Sequence, residues 1–169
     1  MGKRTAAIAA AALSVAPPDI AIPLLEDALP RLESSRDHQR VAAHAIARLK
    51  DDEPLTEWAI SDNPTLRLVA AERLPDTVGG KLNPLLCQLT RDTDSYVAIA
   101  AVRSVADART PAAVEQLRSV AAARREEWTC LHCGSPNPGT ADHCAECHIA
   151  PPNPAKTARE MLAELTVRS

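Results

Sequence analysis

Residues 94–105 read Asp94-Ser-Tyr-Val97-Ala-Ile-Ala-Ala101-Val-Arg-Ser-Val105. Val97, Ala101 and Val105 stand four apart, the spacing that stacks side chains on one face of an α-helix, and no proline or glycine interrupts them. Asp94 stands just ahead, where a short carboxylate can accept hydrogen bonds from the free N–H groups of a first helical turn. The arrangement occurs twice more upstream: Asp37 precedes Val41, Ala45 and Leu49, and Asp62 precedes Leu66, Ala70 and Leu74. From Val41 to Leu66 the interval is 25 residues and from Leu66 to Val97 it is 31, a repeat with a shortened second copy. Helical stretches that would pair with these lie at 20–32, 53–60, 81–90 and 111–124. The pattern predicts an all-α chain of successive helical hairpins.

Composition supports that class. The 169 residues include 32 alanines, 14 prolines and only 5 glycines, and aromatics make up 2% with no Phe. Alanine is the best helix former and lets helices approach closely, whereas sheets draw on aromatic and β-branched residues. A large sandwich or barrel is excluded, and the 46% hydrophobic content excludes a disordered tail. The net charge of −3 gives no overall attraction to nucleic acid or to an anionic membrane, and no apolar run is long enough to span a bilayer. Residues 1–16 fit two readings, a first helix over 3–15 ended by Pro17 and Pro18, or a weak signal peptide. Without export, the expected compartment is the cytoplasm.

The helical stretches resemble the HEAT-repeat family of α-solenoids, whose second helix opens with Asp, then Val-Arg, then spaced alanines and a leucine. Leu66-Arg67 followed by Ala70, Ala71 and Leu74 fits that pattern best, while Val41-Ala42 and Val97-Ala98 lack the Arg. The resemblance implies a short solenoid over residues 1–125 whose concave surface binds other macromolecules.

A second signal lies further on, in Trp128-Thr-Cys130-Leu-His-Cys133-Gly-Ser-Pro-Asn137 and Cys144-Ala-Glu-Cys147. Two C-x2-C knuckles separated by ten residues can bring four thiolates to one metal, and a four-sulfur site leaves no open position for a reacting water. Residues 126–154 hold only Trp128, Leu131 and Ile149 as sizeable apolar side chains, too few for an unaided core. Zinc binding, worth about 10–16 kcal/mol in zinc-finger peptides, would organise such a segment. One structural Zn2+ on Cys130, Cys133, Cys144 and Cys147 is therefore expected. Two disulfides would require export. Haem at Cys144-x-x-Cys147-His148 would strand the other two cysteines, and a thioredoxin-like role lacks a βαβ pattern. Cys87 is expected as a small hydrophobe in a helix core, and His132, His143 and His148 as solvated loop residues.

The knuckle segment resembles the Ran-binding-protein zinc finger family, in which Trp-x-Cys-x2-4-Cys is followed by x3-Asn-x6-Cys-x2-Cys, a pattern that generic zinc ribbons share in large part. That resemblance implies that Trp128 packs against the knuckles and that Asn137 braces the linking turn. Members that bind single-stranded RNA carry an aromatic after the Asn and arginines in the next loop, where this chain has Pro138, Gly139 and Thr140. Members that bind ubiquitin carry Thr-Phe after the second Cys, where this chain has Gly134 and Ser135.

The expected organisation is a helical-repeat domain over 1–125, a finger over 126–152 and an amphipathic helix over 153–169. In that last helix Ala158, Met161, Leu162 and Leu165 form an apolar stripe that folds back on the last solenoid helix or docks on a partner. No nucleotide-binding or hydrolase motif occurs. The expected role is a non-catalytic adaptor for a protein partner, with no membrane partner. A nucleic-acid reading would rest on Arg36, Arg40, Arg67, Arg91 and Arg103, but residues 1–125 carry 16 basic and 16 acidic side chains and residues 126–154 carry four acids and no Lys or Arg. An enzyme of the HEAT-like lyase or glycosylase sort would need site residues that the sequence does not reveal.

Overall fold

The computed structural model describes residues 16–32, 35–123, 127–130, 133–139, 141, 143–150 and 152–167. The expected helix over 3–15 lies outside them, as do Arg124, Arg125, Leu131 and His132. The chain divides into two compact units, Met1–Pro75 and Asp76–Ser169.

The first unit holds α1 (Pro18–Ala28), a 3-10 turn (Pro30–Leu32), α2 (Arg36–Leu49), the single-turn α3 (Leu55–Trp58) and α4 (Pro64–Arg73). The stretch expected as one helix over 20–32 breaks ahead of Pro30, which has no N–H to continue the ladder. Leu25 of α1 packs with Ala42, Ala45 and Ile46 of α2, joined by Leu29, Leu32, Leu49 and Trp58. Val41, expected in the core, is 40% exposed. Ala45 and Leu49 of the expected trio do lie in this cluster, and Ala42 and Ile46 fill it in place of Val41. A second face, at positions 40, 43, 44 and 47, turns toward α4. Ala43 and Ala47 are fully buried there, and Arg40 and His44 both reach Glu72. The expected helix over 53–60 shrinks to one turn, Leu55–Trp58, and just ahead of the expected stretch Asp51 and Asp52 both adopt positive φ, 49° and 63°. Arg73 donates to Asp52 Oδ1 at 2.7 Å and steadies that loop.

The second unit begins with a hairpin, β1 (Thr77–Val78) and β2 (Lys81–Leu82), which pairs Val78 with Lys81. Gly79 and Gly80 form its two-residue turn with φ of 59° and 76°, values that side chains with a Cβ resist. Then follow α5 (Pro84–Leu89), α6 (Ser95–Asp107) and α7 (Pro111–Ala122), the short strands β3 (Glu127–Thr129) and β4 (Pro136–Pro138), and α8 (Pro154–Val167). Strand β2 takes the first residues of the stretch expected as a helix over 81–90. Val97, Ala101 and Val105 of α6 are fully buried, as the opening stretch predicts. Helix α6 packs on α5, α7 and α8, and α8 packs on both α6 and α7. Ala158 is fully buried and Met161, Leu162 and Leu165 are half-buried, so the apolar stripe of α8 folds back within this unit.

Helix starts follow a common rule. Asn63, Asn83 and Thr110 each accept a backbone N–H of the first turn while a proline fills the first helical position. Asn153 accepts from Lys156 N at 3.1 Å ahead of Pro154. Asp94 caps α6 as expected, accepting from Tyr96 N and Val97 N. Asp62 does not cap α4, because Pro64 fixes Asn63 as the cap. Asp37 lies inside the first turn of α2, where the helix dipole favours its charge. No helix among the described residues is long and apolar enough to cross a membrane.

Candidate metal centre

The centre is built by two knuckles of the same backbone design. In the first, Cys130 N donates to Ser135 O at 2.9 Å and Gly134 N donates to Cys130 O at 2.8 Å. In the second, Cys144 N donates to Ile149 O and His148 N donates to Cys144 O, both at 3.0 Å. Each knuckle thus closes on itself four and five residues after its first cysteine. The residue after the second cysteine takes positive φ in both, 76° at Gly134 and 59° at His148. These turns bring the four cysteine sulfurs together.

The sulfurs of Cys130, Cys133, Cys144 and Cys147 all lie within 4.8 Å of one another. Cys130 approaches Cys147 to 3.5 Å, and Cys133 approaches Cys144 to 3.5 Å, in both cases across the knuckles. A tetrahedral ion with metal–sulfur bonds of about 2.3 Å would space its sulfurs by about 3.8 Å, so the donor set fits one such ion. All five cysteines of the chain are free of disulfides. Cys130 and Cys144 are buried, Cys147 is half-buried and Cys133 is exposed.

Electrostatics at the cluster favour a cation. The backbone N–H of Cys147 foremost, with that of Glu146 and hydrogen bonds from Cys133 and Cys147, draws the Cys144 thiol down to about 6 against the opposing effect of burial. At Cys147 the backbone N–H of Ile149 lowers the thiol, but burial and its three sulfur neighbours prevail and push it up to about 12. Four crowded thiols cannot all ionise on their own, and a divalent ion between them removes that conflict.

Two further side chains complete the centre. Strand β3 sets Trp128 opposite Asn137 of β4. Trp128 is buried against Cys130 and Cys144, with Ala141 and Cys147 alongside. Asn137, 3% exposed, donates through Nδ2 to Ser135 O at 2.8 Å and accepts at Oδ1 from Ala145 N at 2.9 Å. Its Nδ2 also approaches Cys144 Sγ at 3.7 Å. One amide therefore ties the first knuckle to the second. The packing role of Trp128 and the bracing role of Asn137 match what the sequence resemblance implied, with the brace reaching across knuckles. The left-handed turn at His148 was not anticipated, although Gly134 at the equivalent position of the first knuckle is its visible counterpart.

Other residues singled out in the sequence lie elsewhere. Cys87 sits half-buried in α5, where burial pushes its thiol up, and its carbonyl accepts from Gln116 Nε2 at 3.2 Å. His143 and His148 are exposed. Two of the arginines of the nucleic-acid reading are engaged within the first unit. Arg40 pairs with Glu72, and Arg67 Nη1 donates to Ser61 O at 2.8 Å and Asp62 O at 3.0 Å. In the second unit Arg91 donates to Ser119 Oγ at 2.9 Å.

The four-cysteine cluster is thus compatible with a zinc finger carried by a helical chain. No known protein family matches this chain, and neither curated proteins nor solved structures give a significant match.

Proposed function

We propose that this chain is a non-catalytic adaptor whose HEAT-like helical repeats and zinc finger of the Ran-binding-protein type bind a protein partner. The observation that carries the reading is the closed set of four sulfurs. A zinc ion on Cys130, Cys133, Cys144 and Cys147 would have every position filled by protein, leaving none for a substrate or a reacting water, which suits structure and not catalysis. The thiols suit a reducing compartment, and the cytoplasm follows from that choice. Charge supports a protein partner over nucleic acid: residues 126–154 hold Glu126, Glu127, Asp142 and Glu146 with no Lys or Arg, and four thiolates around Zn2+ add a further negative charge. The internal engagement of Arg40 and Arg67 removes two cations from the alternative.

The test is affinity capture of the tagged chain from its own cells with nuclease present, beside a variant lacking residues 126–152. A protein retained by the full chain through nuclease treatment supports the adaptor reading. Submicromolar, sequence-selective binding to single-stranded RNA at about 150 mM salt, lost on changing Trp128 or Asn137, overturns it.

A further inference from the structure

The four cysteines differ in access. Cys130 and Cys144 are 3% and 0% exposed, whereas Cys133 faces solvent. The Cys133 sulfur stands 3.5 Å from that of Cys144 in the other knuckle, and the remaining pair, Cys130 and Cys147, stands at the same 3.5 Å. The fifth cysteine, Cys87, is half-buried on α5, and burial raises its thiol, so it is disfavoured as a thiolate. Cys133 is thus the exposed cysteine of the cluster, with a partner sulfur already beside its own; Cys147 is half-buried, and Cys87 stands apart as an internal comparison.

We infer that the cluster is a peroxide-responsive switch, in which Cys133 takes the oxidant and Cys144 resolves it, so that a disulfide across the knuckles replaces the metal. This rests on the zinc reading above. In the first step the Cys133 thiolate attacks one oxygen of a hydroperoxide. An S–O bond forms, the O–O bond breaks, and hydroxide or alkoxide leaves, giving the sulfenic acid. In the second step the Cys144 thiolate attacks that sulfur. An S–S bond forms, the S–O bond breaks, and hydroxide leaves. The two sulfurs together lose two electrons, the peroxide gains them, and the two leaving oxygens take their protons from solvent. A second peroxide equivalent joins Cys130 to Cys147 by the same route. A zinc ion held by the cluster would then keep only two of its four thiolates and would be lost to water.

Release then disorders the module, because its apolar core is little more than Trp128 packed on the sulfurs. A partner that reads the folded finger would be let go under oxidation and regained under reduction. The switch thereby links the redox poise of the compartment to the binding surface.

The experiment uses the full chain, assayed first for zinc and then titrated with hydrogen peroxide in the presence of a chromogenic zinc chelator. Peptides are mapped by mass spectrometry without reduction. The expected result is loss of the one zinc per chain, with the first disulfide joining Cys133 to Cys144, before Cys87 is modified. Reductant and fresh zinc should restore the metal content. Zinc retained while Cys87 is already oxidised overturns the proposal, as does a first disulfide within a knuckle, Cys130 to Cys133 or Cys144 to Cys147. A chain that holds no zinc before peroxide is added overturns the zinc reading itself, a failure distinguishable from a loaded chain that survives oxidation. A Cys87→Ser chain, assayed in parallel, should release zinc at the same peroxide concentration, and a shift of that concentration by tenfold or more would assign the sensing to Cys87 instead.

Discussion

Gly134 and His148 occupy the same place in the two knuckles: each follows the second cysteine, each has positive φ, and each donates its N–H to the carbonyl of the first cysteine. Glycine reaches that conformation freely, whereas a residue with a Cβ in the left-handed region is disfavoured by about 1–2 kcal/mol. His148→Gly is therefore expected to stabilise the metal-loaded finger by about 1 kcal/mol, and Gly134→Ala to destabilise it by a similar amount. Thermal unfolding of the zinc-loaded chain, followed by Trp fluorescence, checks both directions.

Asn137→Ala removes the amide that joins the knuckles. It leaves Ala145 N–H and Ser135 O without that partner in a buried setting, a loss of about 1–3 kcal/mol. Zinc affinity, measured by competition with a chelator, should fall about tenfold or more, in line with that energy. Asn137→Asp should be no better, since it keeps the acceptor but places a negative charge beside thiolates.

Glu72 supplies a pH test in the first unit. Burial on its own would raise its carboxyl, yet hydrogen bonds from His44 and Arg40 outweigh burial and hold it below the ordinary value of 4.5. A carboxyl depressed in the folded state contributes stability that is fully present above its unfolded value and is lost as pH falls through the folded one. Urea midpoints of the wild-type chain should therefore fall as acidification passes below pH 4.5. Glu72→Gln should be less stable at neutral pH by about 1 kcal/mol and should lose part of that acid dependence.

Asp51 and Asp52 form a left-handed pair without glycine. Asp51→Gly is expected to stabilise the chain by about 1 kcal/mol, because it relieves the backbone and leaves the Arg73–Asp52 pair in place. Asp52→Gly should gain less, since the same change deletes that ion pair. Chemical denaturation of the two variants side by side separates the effects.

Chelation and truncation should also differ. Removing metal is expected to unfold the finger and leave most of the far-ultraviolet helical signal, since the helices pack on one another. A chain ending at residue 125 lacks α8 as well, and with it the side chain of Ala158 that is buried in the second unit. It should lose more helical signal than α8 alone contributes, because α6 and α7 are uncovered. Circular dichroism of the two samples makes the comparison.

The sequence was most legible where one residue type answers one physical need. Paired cysteines at fixed spacing marked the cluster, and the run from Val97 to Val105 marked α6, because both sides of that helix are covered and the pattern is unbroken. It was less legible where two cues competed. Asp62 resembled a cap, but Pro64 moved the helix start and made Asn63 the cap. Val41 resembles a core residue, but Ala42 and Ile46 take the buried positions beside Ala45. Residues 81–90 read as helical throughout, and only pairing across the Gly79-Gly80 turn places Lys81 and Leu82 in a strand. The left-handed backbone at Asp51 and Asp52, ahead of the one-turn third helix, is a feature no periodicity records. The cross-knuckle reach of Asn137 depends on three-dimensional proximity that spacing does not encode.

The course of the chain around the finger has a mechanical consequence. It leaves the bundle at the end of α7 and re-enters it at α8, and those two helices pack together. A module hung from one tether sweeps a wide cone, and its capture by a partner must quench that freedom. A module slung between two fixed posts swings over a narrower arc. Lengthening the sequence between α7 and β3, or between the second knuckle and α8, should therefore retune how quickly the finger meets a protein partner without altering either the helices or the metal site.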